Sequence, residues 1–272
     1  MRIAVVGLGL IGASLGLAAR EHLGAHVCGW DSDPEAVPAA LALGAIDSGA
    51  GPLAGAVATA DAVFLAAPVG ALPELAATVL AQAAPGSVIS DVGSTKRSLC
   101  EAVSDPRFVG GHPLAGAESR GSAGARGDMF TGATWYLTPG PATAPATLAT
   151  VRALVEGLGA RPLTIDPALH DRLMASVSHL PHVFANVLVN GLPATDSELA
   201  VGPSFRDGTR VAGANSELWS DIFLDNRVAL DAAIAEAISE LTEVRSLLQR
   251  GDRDGLRRFS DRAAAARARI SR

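Results

Sequence analysis

The sequence predicts an α/β domain built on a mostly parallel sheet, residues 1–166, followed by an all-helical domain, residues 167–272. Three observations carry this. Near-continuous apolar runs alternate with helical stretches up to about residue 165, as in a parallel sheet covered on both faces. A glycine-rich turn joins the first run to the first helix, and the strand pattern stops after Asp166-Pro167. The strands expected in order are Arg2–Val6, His26–Trp30 and residues 62–66, 87–91, 108–110, 134–137 and 162–165, with helices at 34–43, 72–83 and 147–158 between them. Residues 139–145 read as a loop inside the first domain, because a strand-like segment still follows them.

Composition narrows the function. A chain of 272 residues, 49% hydrophobic, can fill a sizeable core. A net charge of −6, with cations dispersed over about the first 240 residues, argues against nucleic acid or an anionic membrane as partner and for a small molecule. Cys28 and Cys100 are too few for a disulfide framework, which suits a reducing compartment and a cytoplasmic protein. The uncharged run at residues 3–19 loosely imitates a signal peptide, but its glycines are spaced for another purpose. No other apolar run reaches the roughly 18–20 residues of a membrane helix.

That purpose is a nucleotide. Gly7-Leu8-Gly9-Leu10-Ile11-Gly12 is a GxGxxG turn placed directly after a strand and before a helix, the Rossmann-type context. Gly7 permits the tight turn, Gly9 lets a pyrophosphate approach the backbone, and Gly12 lets helix and strand pack closely. Leu10 and Ile11 open the helix whose N-terminus faces the phosphates. Asp31 ends the second strand, where a carboxylate accepts from ribose hydroxyls and repels a 2′-phosphate, so NAD is favoured over NADP. Ala67 and Pro68, after the strand at 62–66, are placed by position along the cofactor groove.

Ser94, within Asp91-Val92-Gly93-Ser94-Thr95-Lys96, and His112, within Gly110-Gly111-His112-Pro113, follow neighbouring strands at the carboxyl edge of the sheet, where open α/β folds bind ligands. The glycines and proline around His112 exclude helix, and a loop is expected there. A hydroxyl that bonds one imidazole nitrogen would orient the other as a general base; Ser94 and Lys96 could equally serve as caps of the next helix. In the helical domain, His179 and His182 stand three apart, on one face if the helix runs through Pro181 with a kink. No third ligand sits at a matching spacing, so no metal is expected. Arg206 and Arg210 are surface residues by default, but an arginine aimed into the crevice would hold a carboxylate bidentately.

Residues 226–249 repeat apolar positions (Val228, Ile234, Ile238, Leu241, Val244, Leu248) at helical spacing, a stripe that must bury against something. A second copy or an intramolecular bundle would each satisfy it. The arginine-rich segment 250–272, interrupted by Asp252, Asp254 and Asp261, reads as a solvated helix.

Taken together, the turn at Gly7 to Gly12, DVGSTK, GGHPLAG, SHLPH, FRDGTR and Trp219 make the chain resemble the prephenate and arogenate dehydrogenase family of tyrosine biosynthesis over nearly its whole length. The resemblance implies a Rossmann-type domain, a helical dimerisation domain that would make the protein a homodimer, and NAD-dependent oxidative decarboxylation of prephenate or arogenate. It implies that His112 takes the proton of the ring hydroxyl with Ser94 bonded to it. His179 and His182 correspond to a second pair of site histidines, Arg210 to a carboxylate-binding residue and Glu118 to an acid that orders the site, while Arg206 stands where relatives carry lysine. Ala117 and the Ser119-Arg120 pair depart from the family pattern and leave open whether a keto acid or an amino acid is preferred. No fused mutase or regulatory domain is expected within this length. A rival dehydrogenase of the β-hydroxyacid kind would use a second-domain lysine, and none follows Lys96.

Overall fold

The computed structural model describes residues 1–116, 121–193 and 201–270. Its first part alternates strand and helix: β1 (Arg2–Val6), α1 (Leu10–Leu23), β2 (His26–Trp30), α2 (Ala36–Ala42), β3 (Ser48–Gly49), α3 (Leu53–Val57), β4 (Ala62–Leu65), α4 (Leu72–Gln82), β5 (Val88–Asp91), α5 (Arg97–Ala102), β6 (Phe108–Pro113), β7 (Thr134–Thr138), α6 (Pro145–Gly157) and β8 (Arg161–Thr164). Helices follow: α7 (Pro167–Met174), α8 (Leu180–Asn190), α9 (Pro203–Thr209), α10 (Ser216–Asp225), α11 (Arg227–Gln249) and α12 (Arg253–Ile270).

Among the described residues, eight strands form one sheet in the order β3-β2-β1-β4-β5-β6-β7-β8. All pairs are parallel except β6 with β7. Alternation along each strand feeds two cores. Ile3 and Val5 of β1 enter one with Leu15, Phe64, Trp135 and Val151, while Ala4 and Val6 enter the other with Val63, Leu72, Val79 and Leu99. The order reverses between β1 and β4, and the crevice beyond their carboxyl ends is where such sheets bind ligands.

Two elements differ from the expectation. His112 lies on a strand, not a loop: β6 runs through Gly110 and Gly111 to Pro113, and β7 pairs against it with His112 opposite Tyr136. The antiparallel partner extends the strand past the point where parallel pairing ends, and Pro113 is tolerated because it is the last residue. Two-residue β3, at the sheet edge, was not anticipated because so short a run has no periodicity.

The chain divides into two compact units, Met1–Asn226 and Arg227–Arg272. Helices α7 to α10 belong to the first, where Ile222 of α10 enters the second core. The second holds α11 and α12; Val228, Ile238, Leu241 and Leu248 of α11 are all exposed. No described helix is long and apolar enough to cross a membrane.

Candidate active site

The glycine turn is built by close contact. Gly7 has φ 99°, and a side chain there would strike the Ala66 carbonyl at the end of β4; one at Gly12 would strike the Gly7 carbonyl. At Gly9 an added Cβ would meet nothing within 4 Å, which leaves open the cradle that a pyrophosphate needs. Asp31 ties down the turn: its Oδ2 accepts from the Leu8 N–H at 2.6 Å, and its Oδ1 accepts from the Asp33 N–H at 2.9 Å. Each oxygen retains acceptor capacity for a ribose hydroxyl.

A cavity of about 880 Å³ opens from this turn. Gly9, Leu10 and Ile11 line one side, with Ala67 and Pro68 from the segment after β4 and Ser94 from the loop after β5. His182, Arg210 and Trp219 line it from the helical region. Gly7, Gly12 and Asp31 shape the turn without lining the cavity.

His112 is half-buried and not itself on that wall, but its strand leads directly to Ala115 and Gly116, which are. Burial, and then the charges of His170, Lys96 and His179, hold its pKa well below the usual histidine value. Its Nδ1 lies 2.9 Å from Nε2 of His170, so the partner anticipated at Ser94 is another imidazole. His170 Nδ1 in turn lies 2.8 Å from Asp171 Oδ1. The Asp171 carboxylate also accepts from the Lys96 and Arg97 N–H groups at 2.8 and 2.9 Å, at the start of α5. A second anchor sits on β5, where buried Asp91 pairs with the fully buried Lys96 ammonium and accepts from the N–H groups of Gly93 and Gly111 at 2.7 and 2.9 Å. It thereby fixes the neighbours of both Ser94 and His112.

His179 and His182 both meet the Trp219 ring. A π-helical turn, Ala175–His179, precedes Pro181 and absorbs its missing N–H and its clash with the preceding turn, where a kink was expected. His182 stacks on Trp219 with ring centroids 3.4 Å apart; His179 meets the same ring edge-on at 5.9 Å. His179 is only 1% exposed and does not line the cavity. The Asn226 amide nitrogen lies 3.1 Å from its Nδ1 and also donates to the Asp171 carbonyl at 2.8 Å. Burial lowers the His179 pKa to about 4 and, with the Arg210 charge, also lowers that of His182. Arg206 is exposed and turns back to the Val201 carbonyl at 2.9 Å, away from the cavity lining, and Glu118 lies outside the described residues.

The His179 shift has a consequence for stability. Its folded value, about 4, lies below the unfolded 6.5, so the contribution is complete above pH 6.5 and is lost as pH falls through 4. At about 1.4 kcal/mol per unit this amounts to about 3 kcal/mol. Urea unfolding at a series of pH values is expected to show that loss, with a shallower slope in His179→Gln; equal slopes would refute the assignment.

The chain is matched by two adjoining family models, "Prephenate dehydrogenase, nucleotide-binding domain" over residues 15–164 and "Prephenate dehydrogenase, dimerization domain" over residues 166–260. The chain belongs to the prephenate dehydrogenase family. Within that family it is 33% identical to the prephenate dehydrogenase of Bacillus subtilis over 94% of this chain and 72% of that one. It is 32% identical to the cyclohexadienyl dehydrogenase of Zymomonas mobilis over 93% and 90%. The structure of prephenate dehydrogenase from A. aeolicus in complex with hydroxyphenyl propionate and NAD+ superposes with a TM-score of 0.93 at 29% identity, covering 99% of this chain and 98% of that one. Synechocystis arogenate dehydrogenase gives 0.85 at 29% identity, with 99% and 100% covered.

Sequence reasoning missed His170, Asp171 and Asn226. His170 is 58 residues from His112, and Asp171 is 75 from Lys96, so no local spacing marks them.

Proposed function

We propose that the protein is an NAD-dependent prephenate dehydrogenase, converting prephenate to 4-hydroxyphenylpyruvate with release of carbon dioxide in the pathway to tyrosine. The observation that carries this reading is a single cavity lined at once by the nucleotide turn, Ser94, His182, Arg210 and Trp219. The described residues fit NAD: a shaped glycine turn, open space at Gly9, and a carboxylate at Asp31 with capacity for ribose hydroxyls and no cation beside it in Ser32-Asp33. When bound, NAD accepts the hydride from the carbinol carbon.

His112, held neutral at pH 7 by its burial, takes the proton of the ring hydroxyl as that carbon is oxidised. Ser94 on the cavity wall hydrogen-bonds the same oxygen. Arg210 clamps a substrate carboxylate, and the stacked His182–Trp219 pair forms the wall against which the ring lies. Loss of the ring carboxylate then restores aromaticity, which supplies the driving force. Glu118 is assigned to ordering the site, and Arg206 and His179 to support outside the cavity.

We further assign residues 1–166 to cofactor binding and 167–272 to substrate binding and dimerisation. The exposed apolar side chains of α11 support a homodimer, and free Cys28 and Cys100 support a cytoplasmic location.

The test mixes the protein with prephenate and NAD and follows NADH by its absorbance. Turnover is expected with NAD and far weaker turnover with NADP, because Asp31 repels the 2′-phosphate. Arogenate, the alternative suggested by the likeness to the Synechocystis enzyme, is run in parallel. Absence of NADH with both substrates would overturn the reading.

A further inference from the structure

The hydrogen bonds behind His112 fix where every proton sits. The Asp171 carboxylate can only accept, and it receives the N–H groups of Lys96 and Arg97 together with His170 Nδ1. With both imidazoles neutral, His170 carries its proton on Nδ1 and presents a lone pair at Nε2. That lone pair faces His112 Nδ1 at 2.9 Å, so His112 must donate from Nδ1 and keep its own lone pair on Nε2. His170 is 0% exposed, and no water competes for its bond to Asp171.

We propose that His170 and Asp171 are positioning residues that form a proton relay behind His112, setting its Nε2 as the base and receiving the positive charge that the reaction generates. The proposal rests on the dehydrogenase reading above. In the step, His112 Nε2 gains the proton from the substrate hydroxyl, and the Nδ1 proton of His112 passes to His170 Nε2. His112 ends neutral with its proton on Nε2, and His170 ends as an imidazolium bonded through Nδ1 to the Asp171 carboxylate. The chain gains one proton and one positive charge, the substrate loses one proton, and reversal of the transfer to solvent after product release restores the starting tautomers.

The surroundings favour charge on His170 over charge on His112. The Lys96 ammonium opposes a cation at His112. Facing His170 are His112 from β6, the edge-on Tyr136 ring at 5.5 Å from β7, neutral His179 and Asp171 beside it on α7, with Lys96 and Arg97 from α5 reaching that carboxylate through their backbone N–H groups. Asp171 is the carboxylate in direct contact, and it sits against the distal imidazole.

The experiment has one arm without substrate and one with it. In the free protein labelled with 15N-histidine at neutral pH, both His112 and His170 are expected as Nδ1–H tautomers, assigned by their loss in His112→Asn and His170→Gln. In Asp171→Asn the amide oxygen keeps the bonds from His170 Nδ1 and the Lys96 N–H, but the negative charge behind His170 is gone, and kcat falls about 10²–10⁴-fold with the NAD dissociation constant unchanged. The acid limb of its pH profile moves to lower pH, since the cation loses its counter-charge. His170→Gln, which leaves the Asp171 bonds to α5 intact, still accepts from His112 Nδ1 but cannot hold a proton. Its single-turnover rate is expected to fall, with the curved solvent-isotope proton inventory of the parent becoming linear. An Nε2–H tautomer at His112 in the free protein would overturn the relay. So would a His170→Gln variant whose rate or proton inventory matches the parent's. Failure of the parent to reduce NAD with either substrate instead sinks the dehydrogenase reading and leaves the tautomer measurement to stand by itself.

Discussion

Replacing His112 by asparagine is expected to lower kcat about 10²–10⁴-fold while leaving NAD affinity unchanged, as measured by steady-state kinetics and by fluorescence titration of the cofactor. Asparagine still donates to His170 from its amide, so the strand and its neighbours stay in place, but it offers no basic nitrogen to the substrate. The cofactor turn at Gly7 to Gly12 belongs to β1 and α1, at the other side of the crevice, and does not depend on His112. In the parent, the acid limb of kcat/KM should lie below pH 6.5, because burial above all depresses the His112 pKa. Near-normal turnover in His112→Asn would end the base assignment, and an acid limb above 6.5 would contradict the electrostatics described for it.

Asp91→Ala is expected to destabilise the fold by about 3–5 kcal/mol in urea unfolding, the usual cost of stranding one member of a buried ion pair. Lys96 is 0% exposed and lies within the second core's neighbourhood, beside Cys100 and Gly110, so its ammonium has no route to water. Adding Lys96→Met should recover much of the loss, because no charge then remains buried without a partner. Recovery stays incomplete: the N–H groups of Gly93 and Gly111 lose their acceptor whichever residue stands at 96. If the single and double variants unfold alike, the pair is not what holds this corner together.

The sheet and its nucleotide turn were legible because their signals are local. The glycine spacing, the apolar runs and Asp31 at a strand end all lie within about thirty residues and report directly on β1, α1 and β2. The site behind His112 was not, since each bond joins elements far apart in the chain: β6 to α7, α7 to α5, and the end of α10 to the turn before α8. Ser94 and His182 were placed by motif and do line the cavity, whereas His179, three residues away, turns inward behind Trp219. The reason is the π turn: one extra residue per turn rotates His179 relative to what an unbroken helix would present. The strand carrying His112 was mistaken for a loop because glycine and proline are read as breakers, while antiparallel pairing with β7 overrides that local preference.

The bond from Asp31 to the Leu8 N–H bears on how cofactor preference in this protein can evolve or be engineered. An apolar or cationic replacement at 31 would remove the repulsion toward a phosphorylated ribose, yet the same change would release the backbone of the pyrophosphate turn. The two traits are coupled through one side chain, so a first substitution toward NADP should weaken binding of both dinucleotides. Where the acceptor for Leu8 is lost, a second change that restores one has to accompany it.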